Sequence, residues 1–182
     1  MYAGHFAAGL ALKARKPEAP TWALLVGTGL LDILFGPFVA LGIERATVTP
    51  GQPPGFRLDF IDWSHSLAMS LVWSVAYAAL FWKRGRDIAA VLGFAVFSHF
   101  LLDLPMHPAD LALWPGSAVH LGFGLWHTPY YWWFELACIA LGCGYYWARA
   151  RRLRSFGGHA AWACAVVLAL HVMNAPWLSS GR

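Results

Sequence analysis

The sequence has few charged residues: Lys, Arg, Asp and Glu together make up 12% of its 182 residues, while 59% are hydrophobic. A soluble domain carries about a quarter charged residues, so this scarcity argues against an ordinary water-soluble fold and predicts a polytopic membrane protein. The formal net charge of +4 does not indicate nucleic acid as a partner, because the basic residues lie in short clusters between apolar runs.

Several chemical signatures are also missing. The chain contains no P-loop, Gly-x-Ser-x-Gly elbow, Cys-x-x-Cys pair or dinucleotide fingerprint, so those chemistries do not compete for the function. Its three cysteines, Cys138, Cys143 and Cys164, lie inside apolar segments without zinc-type or disulfide spacing, and we predict that they are small core residues. We expect no cleavable signal peptide, because the apolar stretch before Lys13 is short and lacks a basic leader.

The apolar runs predict an all-α integral membrane bundle, a single domain over residues 1–182 with about five transmembrane helices. The predicted spans cover residues 21–43, 63–82, 88–104, 129–148 and 158–178. Residues 1–12 would rise only about 18 Å as a helix, against about 30 Å for the bilayer core. We therefore predict that they form a short half-inserted or interfacial helix.

The basic clusters predict the orientation in the membrane. With five spans, the clusters at 13–16, 83–86 and 149–154 fall on one side, and the loops 44–62 and 105–128 on the other. The first of these loops is rich in Pro and Gly, and the second contains no Lys or Arg. The positive-inside rule then predicts a bacterial inner-membrane protein with its basic loops in the cytoplasm.

The stretch from Ser98 to His107 closes an apolar run and carries the strongest functional signal. His99 and Asp103 are four residues apart, so on a helix they lie on one face, one turn from each other. An imidazole and a carboxylate inside lipid are costly unless something binds them, and a divalent metal is the obvious candidate. We expect a helix break at Pro105 and a further ligand in His107 beyond it.

Other polar residues inside the predicted spans reach a similar depth, in the outer half of the bundle. Asp32 lies near the midplane of the first span, where an unpaired carboxylate is rare and usually functional. Asp32 and Glu135 are the candidates for catalytic roles. The predicted metal ligands are His5, Asp32, His65, His99, Asp103, His107 and Glu135. Mixed imidazole and carboxylate ligands suit zinc best, with manganese or iron as alternatives. Their number exceeds what one tetrahedral ion takes, which favours a bridged site of two or three ions. Such a site favours hydrolysis of a phosphoester by metal-activated water.

The residues also resemble a known family. Gly4-His5, the buried Asp32, Ser64-His65-Ser66 and Ser98-His99-x-x-x-Asp103 resemble the YdjM-like membrane-bound metal-dependent hydrolases over residues 4–107. That family is distantly similar to zinc-dependent phospholipase C. The resemblance implies that His5, Asp32, His65, His99 and Asp103 are ligands, with Glu135 as a late carboxylate ligand, and that the substrate is a membrane lipid or another phosphoester.

Two departures from that family reduce the expected number of ions. Asp62-Trp63 stands near the place where the family often has His-Arg-Gly, and Tyr131 stands four residues before Glu135, where the soluble enzymes have a histidine. We therefore expect one or two ions in place of three.

Three other interpretations of the same residues remain open. The cluster could move metal ions or protons in a transporter, although polar residues gathered in one half of the membrane argue against a through path. It could instead be a structural metal site or hydrogen-bond network in a non-catalytic membrane protein. Within the enzyme class, a ceramidase-like lipid amidase is a variant.

Overall fold

The chain folds mainly into α-helices, which confirms the predicted all-α class. The computed structural model describes residues 1–49, 56–153 and 159–175. Within them, the helices are α1 (Ala3–Arg15), α2 (Thr21–Thr28), α3 (Leu30–Ala40), α4 (Asp62–His65), α5 (Leu67–Leu80), α6 (Arg86–Met106), α7 (Tyr131–Leu153) and α8 (His159–Met173). The short strands are β1 (Arg45–Val48), β2 (Phe56–Phe60), β3 (Leu111–Ala112) and β4 (His120–Leu121).

The two long loops of the sequence analysis contain these strands. β1 pairs antiparallel with β2, and Val48 lies opposite Phe56; β3 pairs antiparallel with β4. Thr47, Val48, Phe56 and Phe60 are β-branched or aromatic and favour strands, whereas the Pro and Gly between them dominated the prediction of a plain loop. That Pro- and Gly-rich stretch, residues 50–55, lies outside the described residues.

The predicted span at residues 21–43 is not one straight helix. It is divided at Gly29 into α2 and α3, whose axes are bent by 53°. Gly27, Thr28 and Gly29 are poor helix formers, and clustered glycine is a common cause of sharp bends. The break places Asp32 in the first turn of α3 and leaves the last carbonyl groups of α2 available to other partners.

The predicted helix break at Pro105 is wrong, because Pro105 lies inside α6 and the helix continues to Met106. A proline so close to the end of a helix removes only one backbone hydrogen bond. The N–H of His107 donates to the carbonyl oxygen of Asp103 at 2.8 Å. His107 therefore stays about one turn from Asp103, in line with His99.

Helix α1 is buried among α2, α6, α7 and α8. Its inward face carries small residues that include Gly4, Ala7 and Gly9, so neighbouring backbones can approach closely. At the contact with α7, a Cβ on Gly142 would lie 2.7 Å from the carbonyl oxygen of Ala7. The sequence predicted a half-inserted or interfacial helix; the structure shows a helix enclosed by the bundle.

Two apolar clusters flank the interface between α1 and α6. One joins α2, α5 and α6 around Leu24, Leu92 and Val96. The other joins α1, α7 and α8 around Leu10, Ile139 and Val167. The polar side chains described below lie where α1 meets α6, so apolar packing on both sides fixes their positions.

The described residues contain one helix, α6, that is long and apolar enough to cross a bilayer. The bent pair α2–α3 would be a second candidate if it counts as one span. Helices α5 and α8 are apolar but only 14 and 15 residues long. Helix α7 has 23 residues, but Glu135 and several Trp and Tyr lower its hydropathy. The described residues do not include 154–158. They also end at residue 175, before the predicted end of the last span.

Candidate metal centre

Asp103 is the centre of a group of imidazoles contributed by α1, α4 and α6. Its side chain is buried. Its Oδ1 lies 3.2 Å from Nε2 of His5, and its Oδ2 lies 3.0 Å from Nε2 of His99. The same Oδ2 is 3.6 Å from Nε2 of His107 and 4.0 Å from Nε2 of His65. Four Nε2 atoms therefore converge on the two oxygens of one carboxylate.

A second carboxylate, Asp32 at the start of α3, approaches the same imidazoles from another side. Its Oδ1 lies 3.5 Å from Nε2 of His65 and 3.8 Å from Nε2 of His99. The side chain of Asp32 is 52% exposed, whereas those of the four histidines and Asp103 are at most 5% exposed. The His/Asp cluster therefore opens to its surroundings beside Asp32. We use this name for His5, Asp32, His65, His99, Asp103 and His107.

Two overlapping triplets of this cluster have the spacing of metal ligands. They are His5, His99 and Asp103, and Asp32, His65 and His99. Zinc bonds of about 2.0–2.1 Å at tetrahedral angles place ligand atoms roughly 3.3 Å from each other. The distances of 3.0–3.8 Å from Nε2 of His99 to Asp103 and Asp32 bracket that value. Because both triplets use His99, the geometry suits one ion or two neighbouring ions.

Unpartnered nitrogen atoms also fit a cation in the cluster. Within the described part of the chain, Nδ1 and Nε2 of His5 and Nε2 of His99 are buried and have no hydrogen-bond partner. The Nε2 atoms of His5 and His99 are close to Asp103 but do not have the angles of a hydrogen bond. A buried polar atom without a partner costs about 1–3 kcal/mol. A cation bound by the lone pairs of the two Nε2 atoms would remove that cost for them, while Nδ1 of His5 would stay without a partner.

The outer nitrogens of two histidines fix the tautomer that a metal ligand needs. Nδ1 of His99 lies 2.8 Å from the carbonyl oxygen of Thr28, at the end of α2. Nδ1 of His107 lies 2.9 Å from Oδ1 of Asp110. A carbonyl or carboxylate oxygen can only accept, so each Nδ1 carries the hydrogen. In the neutral ring the Nε2 lone pair then faces the cluster, as in most histidine–metal sites.

His65 reaches a carboxylate through a serine, an arrangement that the sequence analysis missed. Nδ1 of His65 lies 2.6 Å from Oγ of Ser64. That Oγ lies 2.9 and 2.8 Å from the two oxygens of Glu44, which also accepts from the Ser64 backbone N–H at 2.7 Å. Burial raises the pKa of Glu44, and its bonds with Ser64 oppose that shift. Only the polar Ser64 beside His65 hinted at this contact in the sequence, because Glu44 looked like the first residue of a solvated loop.

Glu135, a predicted ligand and catalytic residue, makes different contacts. Its Oε1 accepts from the backbone N–H groups of Tyr2 at 2.8 Å and Gly4 at 3.0 Å, at the beginning of α1. Its Oε2 lies 3.6 Å from Nδ1 of His171, whose ring stacks on Trp132. Among the described residues, the two ligand triplets do not include Glu135. The structure thus places its carboxylate at the beginning of α1, bonded to the backbone N–H groups of that helix.

The α-amino group of Met1 is also beside the cluster. It donates to Oδ1 of Asp103 at 2.8 Å, the oxygen that faces His5. A buried carboxylate needs a compensating positive charge. The ammonium group lies where it supplies that charge.

Other histidines and carboxylates of the chain lie outside the cluster. His120 and His127 are exposed, and Asp62 accepts from the backbone N–H of Gly116 at 2.8 Å. The three cysteines are free and lie within helices; Cys143 is buried as predicted for a core residue, whereas Cys138 and Cys164 are half-buried. A cleft of about 190 Å³ between β2 and the loop at 109–110 reaches Asp110, but its described lining includes no cluster residue.

Comparison with known proteins gives no relative: no family model, curated protein or solved structure matches this chain. The fold and the site define its class at a coarse level. It is a helical protein with a buried group of histidines and aspartates that could hold a metal ion.

Proposed function

We propose that this chain is a membrane-bound metal-dependent hydrolase of the YdjM-like kind, with one or two divalent ions, zinc first, held by the His/Asp cluster. The convergence of four imidazole Nε2 atoms on Asp103 is the observation that carries the proposal. A hydrogen-bond network alone would be a poor explanation, because it leaves the buried Nε2 atoms of His5 and His99 without a partner.

The residues divide the work of such a site. A divalent ion bound there would lower the pKa of a bound water and stabilise charge on a phosphoryl group. His5, His99 and Asp103 would hold it on the buried side, and Asp32 and His65 on the exposed side. His107 would complete the ligand set, held in place by Asp110 and by Trp126, whose ring centroid lies 4.4 Å from that of His107.

The surroundings of Asp32 favour an amphiphilic substrate. Asp32 is the exposed member of the cluster, and Ile33 beside it is also exposed. One turn further along α3, a Cβ on Gly36 would have no neighbour within 4 Å among the described residues, which leave the helix face open there. A phosphoester headgroup could reach the cluster beside Asp32 while an acyl chain lies along this apolar face. We therefore propose a lipid phosphoester as the substrate class.

The outward faces of the helices support a bilayer as the surrounding medium. Large apolar side chains are exposed on several helices, for example Leu80 on α5, Leu141 on α7, and Trp162 and Met173 on α8. Extended apolar surface of this kind is unusual on a monomeric soluble protein. We propose five spans with the basic clusters in the cytoplasm and the metal centre towards the outer side, with α5 and α8 as short spans and α2–α3 as a bent one.

Metal analysis of detergent-purified full-length protein tests the proposal. The wild type, Asp103→Asn and His99→Ala would be compared with Asp59→Asn, which changes an exposed carboxylate bonded to Thr47 and Arg57 in the β1–β2 hairpin. We expect stoichiometric zinc in the wild type and in Asp59→Asn, and its loss from both cluster variants.

A folded wild type that stays metal-free after incubation with zinc, manganese and iron(II) in turn would refute the metal-dependent hydrolase. The cluster would then be a proton path or a hydrogen-bond network. If zinc binds as expected, hydrolysis of phospholipids and soluble phosphodiesters by the wild type, absent in Asp103→Asn, would establish the reaction class.

A further inference from the structure

Glu44 bonds to Ser64, and Ser64 bonds to His65 of the His/Asp cluster. We propose that Glu44 is a positioning residue of the metal centre: through Ser64 it holds His65 in the tautomer, and at the angle, that a metal ligand requires. This inference rests on the proposed function, since it presupposes an ion between His65, His99 and Asp32.

The hydrogen-bond directions follow from the atoms around Oγ of Ser64. Besides His65, its neighbours are the two oxygens of Glu44 and, at 3.3 Å, the carbonyl oxygen of Ile61. All of these can only accept when Glu44 is ionised, so the single hydroxyl hydrogen of Ser64 points to one of them. A lone pair of Oγ then faces Nδ1 of His65, which is 2.6 Å away, and that nitrogen must donate the hydrogen bond. If Ser64 donated to His65 instead, the lone pairs of Oγ would face the carboxylate oxygens of Glu44, which is repulsive.

The consequence for His65 is a free lone pair on Nε2. This atom lies 3.5 Å from Oδ1 of Asp32, in the exposed ligand triplet. A carboxylate behind a metal-bound histidine fixes the orientation of the ring and increases its basicity as a ligand. Glu44 would do both through the hydroxyl group of Ser64.

Burying Glu44 together with Ser64 and His65 costs free energy, which an anchoring role alone does not explain. Glu44, Ser64 and His65 are all buried, and a buried carboxylate without a nearby cation is expensive. An anchor for the short helix α4 would need only the bond from the Ser64 backbone N–H to Glu44. The additional bonds through the hydroxyl group extend the contact to His65.

Two of the other three histidines, His99 and His107, have the same arrangement with different acceptors, whereas Nδ1 of His5 has no partner. The carbonyl oxygen of Thr28 accepts from Nδ1 of His99, and Oδ1 of Asp110 accepts from Nδ1 of His107. Three elements thus supply three acceptors, and each leaves an Nε2 facing the cluster. In the contacts with His65 and His107 the terminal acceptor is a carboxylate, which polarises the ring more strongly than a carbonyl oxygen.

Two variants separate the positioning role from a structural one. Glu44→Gln puts an amide NH₂ group where one carboxylate oxygen faces Ser64, so the amide donates to Oγ and the negative charge behind the hydroxyl group is lost. Ser64→Ala removes the intermediate hydroxyl group. Asp59→Asn is the matched control, because it changes another carboxylate near the β1–β2 hairpin without touching the cluster.

The experiment measures zinc affinity of the full-length detergent-purified protein by competition with a chelator. We expect affinity to fall about 10- to 100-fold in Glu44→Gln and Ser64→Ala, as for other groups that orient metal ligands, and to be unchanged in Asp59→Asn. Nitrogen-15 NMR of the histidine rings in the metal-free protein is the second readout. It should show the hydrogen of His65 on Nδ1 in the wild type and a smaller population of that tautomer in Glu44→Gln and Ser64→Ala.

Two results would overturn the inference, and they differ in what else they overturn. If the wild type binds zinc and both variants bind it within twofold of wild type with the His65 tautomer unchanged, Glu44 is only a structural anchor and the proposed function stands. If the wild type binds no zinc, the proposed function and the positioning role fail together. A variant of lower stability remains informative, because the tautomer is determined on the folded fraction.

Discussion

At the scale of single residues, the two oxygens of Asp103 have separate sets of neighbours. Oδ1 faces the Met1 amine and His5, and Oδ2 faces His99, His107 and, more distantly, His65. A carboxylate with this arrangement can bind through one oxygen or bridge two ions with both. The second carboxylate, Asp32, supports the bridged alternative because it reaches the same His99 from the exposed side.

We predict that Glu135→Gln lowers stability while zinc binding is kept. Glu135 accepts two backbone hydrogen bonds at the beginning of α1, and an amide would accept them less strongly and without charge. We expect a loss of about 1–2 kcal/mol in the free energy of unfolding. Denaturant unfolding and metal analysis of the same preparation check both parts. Loss of zinc with unchanged stability would instead make Glu135 the ligand that the sequence predicted.

The sequence predicted most of the cluster because local spacing and burial carry that information. His99 and Asp103 are one helical turn apart, and the depth of His5, Asp32 and His65 in apolar segments brought them to the same place. The acceptors behind the histidines could not be predicted. Glu44 and the carbonyl oxygen of Thr28 meet their histidines only through the tertiary packing of the β1–β2 hairpin and the α2–α3 break.

At the scale of secondary structure elements, the close approach of α1 and α7 holds His5 in the cluster. We predict that Gly142→Ala destabilises the protein by about 1–3 kcal/mol, because its Cβ would lie 2.7 Å from backbone atoms of Ala7. Gly144→Ala on the same helix is the control, since a Cβ there meets nothing within 4 Å. Thermal unfolding of the two variants measures the difference.

The same pair of variants tests how α1 supports the metal centre. If the helices separate slightly in Gly142→Ala, His5 moves away from Asp103, and we expect weaker zinc binding in that variant than in Gly144→Ala. Equal stability of the two variants would show that the bundle accommodates the extra methyl group and that the contact between α1 and α7 does not fix the position of His5.

The interruptions and continuations of elements that could not be predicted from the sequence have a common physical cause. The bend at Gly29 and the β1–β2 hairpin both interrupt segments whose overall composition pointed elsewhere: apolar residues to one long helix, and Pro and Gly to a loop. The continuation of α6 through Pro105 is a third case, because the cost of proline falls near the end of a helix. Composition over a window predicts the type of a long element better than its interruptions.

At the scale of the whole molecule, the medium around the bundle is the principal question. We predict that the full-length protein stays in the membrane fraction after extraction at alkaline pH, because its exposed apolar side chains would otherwise face water. Release into the soluble fraction as a folded monomer would contradict the bilayer assignment. Helices α5 and α8, at 14 and 15 residues, would then pack against a partner protein.

We also predict the orientation. In cells expressing the protein, a cysteine introduced at Asp59 should react with a membrane-impermeant thiol reagent added from outside, and one at Lys83 should not. Asp59 lies in the β1–β2 hairpin and Lys83 in a basic cluster between α5 and α6, and both are exposed. Wild-type protein, with its three native cysteines inside helices, measures the background. The opposite labelling pattern would reverse the topology.

The position of α1 has a consequence for synthesis of the protein. The contact between Tyr2 and Glu135 joins residues 133 positions apart, so α1 emerges long before α7 does. At about 5–20 residues per second, it waits on the order of ten seconds for that neighbour. His5 can reach Asp103 in its final geometry only after α7 has been made and has docked. Assembly of the His/Asp cluster would therefore be a late event in folding, because it requires that α1 and α7 have already packed together.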